Sequence, residues 1–391
     1  VGLFGARQVG KSTLARQIAE GRGSGVIELN MRRARDRAAL VDDDVFFAVH
    51  SDKLVVIDEA HLDPEALDAV HQRIEKELHE RSGRTQFLLL GSSASDLQQI
   101  TAERLGARLT PVMIEPIHLL ELPPIGQPAS SSRTATLGVA AAEEAISRPE
   151  SAIDMDTLWL RGGYPISLLE GDEASFAWRK TYLSSYYRRA LRGGLEALEQ
   201  GAAKRTLDKI AADQGGVFPV DKSPMEFRAC TRYLEGLGLV RVLPPWSTNR
   251  NTQLTRRPKL YIRDSGLLHL LRACPTLDAL RGTPGLMGGS WEGFCIETLI
   301  GAVGDGVQAF HYRLNEQDEI DLVLEFGPTR RWAIEIKHGD SPTPGAGFYR
   351  ACKVLQPERR LFVHRGETTV VIGDNVSAFP LRGAVEEVLR A

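Results

Sequence analysis

Three groups of residues in this chain have types and spacings suited to phosphate chemistry. The first is Gly5-Ala6-Arg7-Gln8-Val9-Gly10-Lys11-Ser12-Thr13, a G-x-x-x-x-G-K-[ST] run. Its glycines let backbone N–H groups wrap phosphate oxygens. In that pattern Lys11 reaches the β- and γ-phosphates of a nucleotide and Ser12 coordinates Mg2+. The second is Asp58-Glu59, which closes the apolar run Leu54 to Ile57. An Asp at such a strand end holds the Mg2+ in phosphate-loop enzymes, and the Glu after it is positioned to activate the attacking water. The third is Glu319 to Lys337, where Asp321, Glu335 and Lys337 alternate with apolar side chains.

The third group reads as a hairpin. Ile320, Leu322, Leu324 and Phe326 fall on one side of its first strand, and Trp332, Ile334 and Ile336 alternate with Glu335 and Lys337 in the second. Such alternation predicts half-buried strands, joined through Gly327-Pro328-Thr329. If Phe326 closes opposite Arg330, then Asp321 faces Glu335 and Glu319 faces Lys337. Like charges directly opposed are destabilising. The carboxylate pair therefore calls for a cation, either Lys337 or a bound metal. The competing arrangement is a plain ion-pair cluster, Glu319 with Lys337 and Asp321 with Arg313 or Arg331.

Two further features belong to the first site. Phe87 to Leu90 leads into Gly91-Ser92-Ser93, where Ser92 could orient water or sense the γ-phosphate. Arg104 and Arg108, in ERLGARL, are candidate arginine fingers, acting in cis or on a neighbouring subunit. Arg108 is the stronger candidate.

The elements that must position these residues are legible as patterns. VGLF, GVIEL, KLVVID and TQFLLLG alternate with helical stretches, which predicts a parallel α/β sheet. Residues 123–151 are rich in Pro, Ser and Ala and read as a linker. Met155 to Gln200 reads as mostly helical. Helices and a hairpin (LVRVLPPW, KLYIRD) follow between Lys204 and Leu271. The last third reads as helix, strand (QAFHYR), the acidic hairpin, helix (FYRACKVLQ) and strand (RRLFVH).

Composition bounds the rest. The chain has 391 residues, 42% apolar and 25% charged, as in ordinary globular proteins of two to three domains. Its net charge of −3 excludes a uniformly basic nucleic-acid binder. The stretch from Gly201 to Arg272 nevertheless carries 13 Lys/Arg against 6 Asp/Glu, a local excess compatible with phosphate contact or with a solvated face. No apolar run approaches the roughly 18 residues of a membrane span. The four cysteines form no metal or disulfide spacing, so a reducing, cytoplasmic setting is expected. The chain opens at Val1 inside a strand pattern, so a preceding segment is expected as well. DEAH at Asp58–His61 invites a helicase reading, but nothing after Pro123 supplies the second similar α/β domain which that class needs.

The motifs GARQVGKSTL, VVIDEAHLDPEAL, LLLGSSASDL, ERLGARL, LRGGYPISLL, WRKTYLSSYYRR, LGLVRVLPPW, RPKLYIRDSGLLHLL, GSWEGFCIETL, EIDLVLE and AIEIK follow in order over nearly the whole chain. In this the chain resembles a family of bacterial and archaeal AAA-type ATPases that join a P-loop domain to a C-terminal region of unknown function. The resemblance implies an α/β P-loop NTPase domain over 1–122, a linker over 123–151 and a helical lid over 152–200. It further implies a winged-helix segment over 201–285 and a C-terminal α/β domain similar to PD-(D/E)xK nucleases over 286–391. ATP and Mg2+ are the implied cofactors. DNA or RNA and a second copy of the chain are candidate partners, and a membrane is not. In the nuclease-like fold Asp321 and Glu335 would hold a divalent metal, Lys337 would position or activate water, and Glu292 would contribute from the preceding helix. Hard carboxylate oxygens suit Mg2+, and a cation would stabilise charge growing on phosphate. The rival expectation is a nucleotide-dependent switch or scaffold for a protein partner, its nuclease-like fold inactive.

Overall fold

The computed structural model describes residues 1–22, 25–40, 42–80, 86–91, 104–122, 153–190, 201–219, 222–247, 257–304, 306–315, 317–340, 343–373 and 375–391. They form two compact units. One contains Val1–Pro116; the other contains Ser151–Glu235 and Leu239–Ala391 together with the segment from Ile117.

The first unit is a five-stranded parallel sheet of order β2-β3-β4-β1-β5. Its strands are β1 (Gly2–Phe4), β2 (Val26–Asn30), β3 (Leu54–Asp58), β4 (Gln86–Gly91) and β5 (Pro111–Met113). The helices are α1 (Lys11–Gly21), α2 (Ala34–Ala38), α3 (Asp43–Val49) and α4 (Pro64–Glu80). Leu3, Val56, Leu88 and Leu90 pack on Leu14 and Ala15 of α1. Phe4, Ile57 and Leu89 pack on Ala66, Leu67 and Val70 of α4. Both faces of the sheet are thus covered, which explains its near-continuous apolar strands. Because all strands are parallel, the loop after β1 and the acids at the end of β3 emerge on the same edge, where ligands of such sheets bind.

The second unit opens with helices α5 (Met155–Arg161), α6 (Pro165–Leu169), α7 (Asp172–Ala190), α8 (Ala202–Ala212) and α9 (Met225–Gly236). Strands β6 (Val240–Leu243) and β7 (Lys259–Ile262) pair antiparallel. After them come α10 (Ser265–Leu271), α11 (Leu277–Arg281) and α12 (Leu286–Val303). A six-stranded mixed sheet follows, of order β12-β13-β11-β10-β9-β8. It is built from β8 (Gln308–Arg313), β9 (Glu319–Glu325), β10 (Arg331–Ile336), β11 (Arg359–His364), β12 (Val370–Gly373) and β13 (Val376–Pro380). Helix α13 (Ala346–Leu355) makes the crossover between the parallel strands β10 and β11, and α14 (Leu381–Leu389) ends the chain.

The acidic hairpin has the expected register. Arg331 pairs with Glu325 and Ile334 with Leu322, and the Phe326 N–H donates to the Arg330 carbonyl at 2.9 Å. Continued by one residue, this register puts Asp321 opposite Glu335. The expectation of half-buried strands is wrong, because both faces are covered. Phe348, Ala351, Cys352 and Leu355 of α13 share a core with Val323 and Ala333, α12 also packs on β10, and the consecutive residues Ile320 to Leu324 are all buried. Asp321 is consequently buried.

Candidate functional site

The loop between β1 and α1 needs two unusual backbone conformations. Gly5 has φ +149°, and a Cβ there would stand 2.0 Å from the Ile114 carbonyl oxygen. Gly10 has φ +108° and sits immediately before α1. Gln8, at φ +60°, adopts a left-handed conformation without glycine's freedom, the kind of local strain that clusters at functional loops. Lys11 is buried, and its Nζ donates to the carbonyls of Gly5 at 2.9 Å and Ala6 at 2.7 Å. Ser12 and Thr13 lie exposed in the first turn of α1, on the positive end of its dipole.

At the end of β3 the two acids are held differently. Asp58 accepts from Asn30 Nδ2 at 3.2 Å and from the Glu59 N–H at 2.9 Å. Burial pushes the Asp58 carboxyl up, and the neighbouring Glu59 charge pushes it further. Such a group gains by holding a cation. The donor set of Ser12 hydroxyl and Asp58 carboxylate, both hard oxygens, suits Mg2+. Glu59 sits at φ +54°, a strained geometry for a non-glycine residue. Its Oε1 accepts from Arg32 Nε at 3.0 Å and Nη2 at 2.8 Å, with Arg7 Nη2 at 3.4 Å. Arg32 follows β2, and no sequence spacing tied it to Glu59. Ser92 lies outside the described residues. Arg108 pairs with Glu75 and Arg104 with Asp68, both acids of α4.

The second cluster gathers Glu292 of α12, Glu319 and Asp321 of β9, and Glu335 of β10. Its centre is a residue that sequence reasoning missed, Lys259 of β7. Lys259 Nζ lies 2.6 Å from Glu319 Oε1, 2.9 Å from Glu292 Oε1 and 3.5 Å from Asp321 Oδ1, with the side chain 3% exposed. The signal was present: Lys259 and Tyr261 stand two apart in an apolar strand, and a buried lysine requires carboxylate partners. Burial pulls the Lys259 ammonium down, but Glu292, Tyr261, Asp321 and Glu319 outweigh it and hold it well above its ordinary value. The Tyr261 hydroxyl donates to Glu292 Oε1 at 2.6 Å. Asp321 Oδ2 accepts the Ile336 N–H at 2.9 Å. Lys337 pairs with Glu335 at 2.7 Å rather than with Glu319, and Arg313 stands 3.8 Å from Glu319. Burial, and then the Asp321 charge, push the Glu335 carboxyl up to about 8.

The divalent metal expected here fits poorly. Oxygens of Glu292, Glu319 and Asp321 are engaged by protein donors, Glu335 Oε2 is buried with no hydrogen-bond partner, and among the described residues no group of three or more His, Cys, Asp or Glu side chains is arranged to hold an ion. All four cysteines are buried and unpaired. Among the described residues no helix is long and apolar enough to cross a membrane.

The parallel sheet, the glycine-hinged loop around Lys11 and the acids closing β3 are the features of a P-loop domain resembling AAA-type ATPases. Residues 1–122 match an AAA domain family (AAA_14). Residues 153–278 and 287–383 match two domains of unknown function, DUF8612 and DUF4143. Over 400 residues the chain is 29% identical to the uncharacterized proteins Rv2008c of Mycobacterium tuberculosis and Mb2031c of Mycobacterium bovis, covering 99% of itself and 82% of each. Among solved structures it is similar to the Aeropyrum pernix ORC2 protein in its ADPNP-ADP complexes (13% identity, TM-score 0.35). It is also similar to the Aeropyrum pernix ORC1 protein in complex with DNA (14%, TM-score 0.28). Each match covers 72% of this chain and 88% of the other.

Proposed function

We propose that the first unit binds ATP with Mg2+ and hydrolyses it, and that its nucleotide state controls the second unit. The observation carrying this reading is that a buried Lys11 and the Asp58-Glu59 pair emerge on one edge of a parallel sheet. In it, the N–H groups of Ala6 to Thr13 wrap the phosphates and Lys11 neutralises their β/γ charge. Ser12 and Asp58 hold Mg2+, which draws charge from the leaving phosphate oxygens. Glu59 orients the attacking water and accepts its proton. Ser92 and Arg108 are assigned to sensing the γ-phosphate, Arg108 after leaving Glu75 or on a neighbouring copy in a homo-oligomer. Lys11→Ala is expected to abolish ATP binding, and Glu59→Gln to keep binding while stopping hydrolysis. Wild-type turnover by Glu59→Gln would remove Glu59 from the role of base.

For the second unit, the proposal is a nucleic-acid-binding or nuclease-like module built on Glu292, Asp321, Glu335 and Lys337. Its basic stretch between Gly201 and Arg272 offers DNA or RNA a phosphate-binding surface. The position of Lys259 favours a second reading, in which the nuclease-like fold is inactive and the unit binds a protein partner under nucleotide control. Incubation of the chain with single- and double-stranded DNA and RNA, with Mg2+ or Mn2+, separates the two. Cleavage lost in Asp321→Ala and Lys337→Ala supports the nuclease; no cleavage supports the switch.

A further inference from the structure

The acidic cluster of the second unit already contains its cation. An ammonium group has three N–H donors, and the three nearest carboxylates approach Lys259 Nζ from α12 and β9, at 2.9, 2.6 and 3.5 Å. A magnesium ion demands ligand distances of about 2.0–2.1 Å in near-octahedral geometry. It could reach these oxygens only by displacing the amine, since two positive groups that close in a buried site repel strongly. The amine has nowhere easy to go. Its strand is paired to β6, and Lys259 also bridges to Val217. The β6 end of the hairpin is tied to β8 as well: His311 N–H donates to the Pro244 carbonyl at 2.9 Å, and the Trp246 N–H to the His311 carbonyl at 2.6 Å. Asp321 Oδ2 is committed to the Ile336 N–H, and Glu292 Oε1 takes the Tyr261 hydroxyl as well as the amine, while Glu335 Oε2 is buried with no hydrogen-bond partner.

We infer that Lys259 stands in place of a divalent metal: the Glu292, Glu319 and Asp321 carboxylates form a lysine-centred ionic lock that fastens the β6–β7 hairpin to the C-terminal sheet and takes up no Mg2+ or Mn2+. This deepens the second, switch reading given above. Its corollary is that the acids become a metal site when the amine is removed. Lys259→Met keeps the aliphatic stem and removes the charge, leaving Glu292, Asp321 and Glu335 to collect a divalent ion.

Mn2+ binding to the nucleotide-free full chain, followed by the loss of the free-ion paramagnetic resonance signal, tests this. In the wild type, Asp321→Asn is expected to leave the bound Mn2+ unchanged. Lys259→Met is expected to gain a Mn2+ ion that Asp321→Asn in the same background abolishes, and to unfold at a higher urea concentration when Mn2+ is added. A Mn2+ ion that Asp321→Asn strips from the wild type overturns the inference, as does a folded Lys259→Met chain that gains none. Should Lys259→Met not fold, Lys259→Gln and the wild-type comparison decide in the same way. Chelator-resistant, Lys337-dependent cleavage of DNA would refute the switch reading while leaving the lock intact, so the two fail separately.

Discussion

Arg32→Ala is expected to raise ATP hydrolysis. Glu59 can serve as a base only if a carboxylate oxygen faces the attacking water, yet Oε1 accepts two N–H groups of Arg32 and lies within 3.4 Å of Arg7, and Oε2 is buried, 3.7 Å from His61 Nε2. The Arg32 side chain is 49% exposed and that of Glu59 16%, so the pair lies between a solvent-screened contact and a buried one. Exposed pairs contribute about 0–1 kcal/mol, and hydrogen bonds to charged groups about 1.5–3 kcal/mol. A value near 1 kcal/mol is appropriate, with the Arg7 contact persisting in the variant. If the clamp stabilises the non-attacking rotamer by that amount, removing it raises the competent fraction about fivefold. Steady-state phosphate release at saturating Mg-ATP should then show a several-fold higher kcat with nucleotide affinity unchanged. Because the pair is half-exposed, added salt should raise the wild-type rate and leave the variant's rate flat. A variant rate equal to or below that of the wild type would refute the reasoning and make Arg32 a group that positions Glu59 for attack.

The second unit should lose stability in acid through His269. This side chain is fully buried, with Nδ1 3.0 Å from the Leu160 carbonyl and Nε2 2.7 Å from Ser290 Oγ. Burial pulls its pKa down to about 4, so the unfolded chain binds the proton that the folded chain refuses. Stability contributed by the neutral ring is complete above about pH 6.5 and lost as pH falls toward 4, by about 3 kcal/mol relative to His269→Gln. Urea unfolding read by tryptophan fluorescence measures it cleanly, since Trp159, Trp178, Trp246, Trp291 and Trp332 all lie in this unit; parallel pH slopes for the two chains would contradict it. Gly5→Ala should destabilise the first unit by roughly 1–3 kcal/mol, because it combines a glycine-only φ with a backbone clash at Ile114. ATP binding should fall with it, and a variant that melts and binds like wild type would show that the loop can relax.

What was legible in the sequence was local. The loop after β1, the Asp58-Glu59 strand end and the hairpin register each depend on residues within a few positions of one another, where spacing and alternation constrain geometry directly. Strand β5 was missed because Pro111–Met113 has three residues, all exposed, and so no burial pattern. Strands β12 and β13 and helix α14 were missed as well. The double burial of the acidic hairpin was misread for a different reason. Alternating carboxylates imitate a solvent face, and the covering helices α12 and α13 flank the hairpin in the chain without marking which face they cover.

The position of Lys259 could not be reached by spacing at all. It is 33 residues from Glu292 and 62 from Asp321, and only the docking of one hairpin on another sheet brings them together. Its strand, Lys-Leu-Tyr-Ile, is buried at every position. A lysine there is tolerable only because negative charge awaits it, and the carboxylates are tolerable only because the lysine arrives. Removing either side strands the other, at a typical cost of 3–5 kcal/mol for a broken buried pair. Replacing both with apolar groups of similar volume is often neutral or stabilising, so the cluster is a poor choice if stability is its sole purpose. Its physical advantage is directional. The hairpin can seat only where three carboxylates meet one amine, which makes the cluster a register pin between two parts of the unit. A charge-reversed exchange would keep the net charge and still fail, because a carboxylate at position 259 cannot donate to the oxygens it would face.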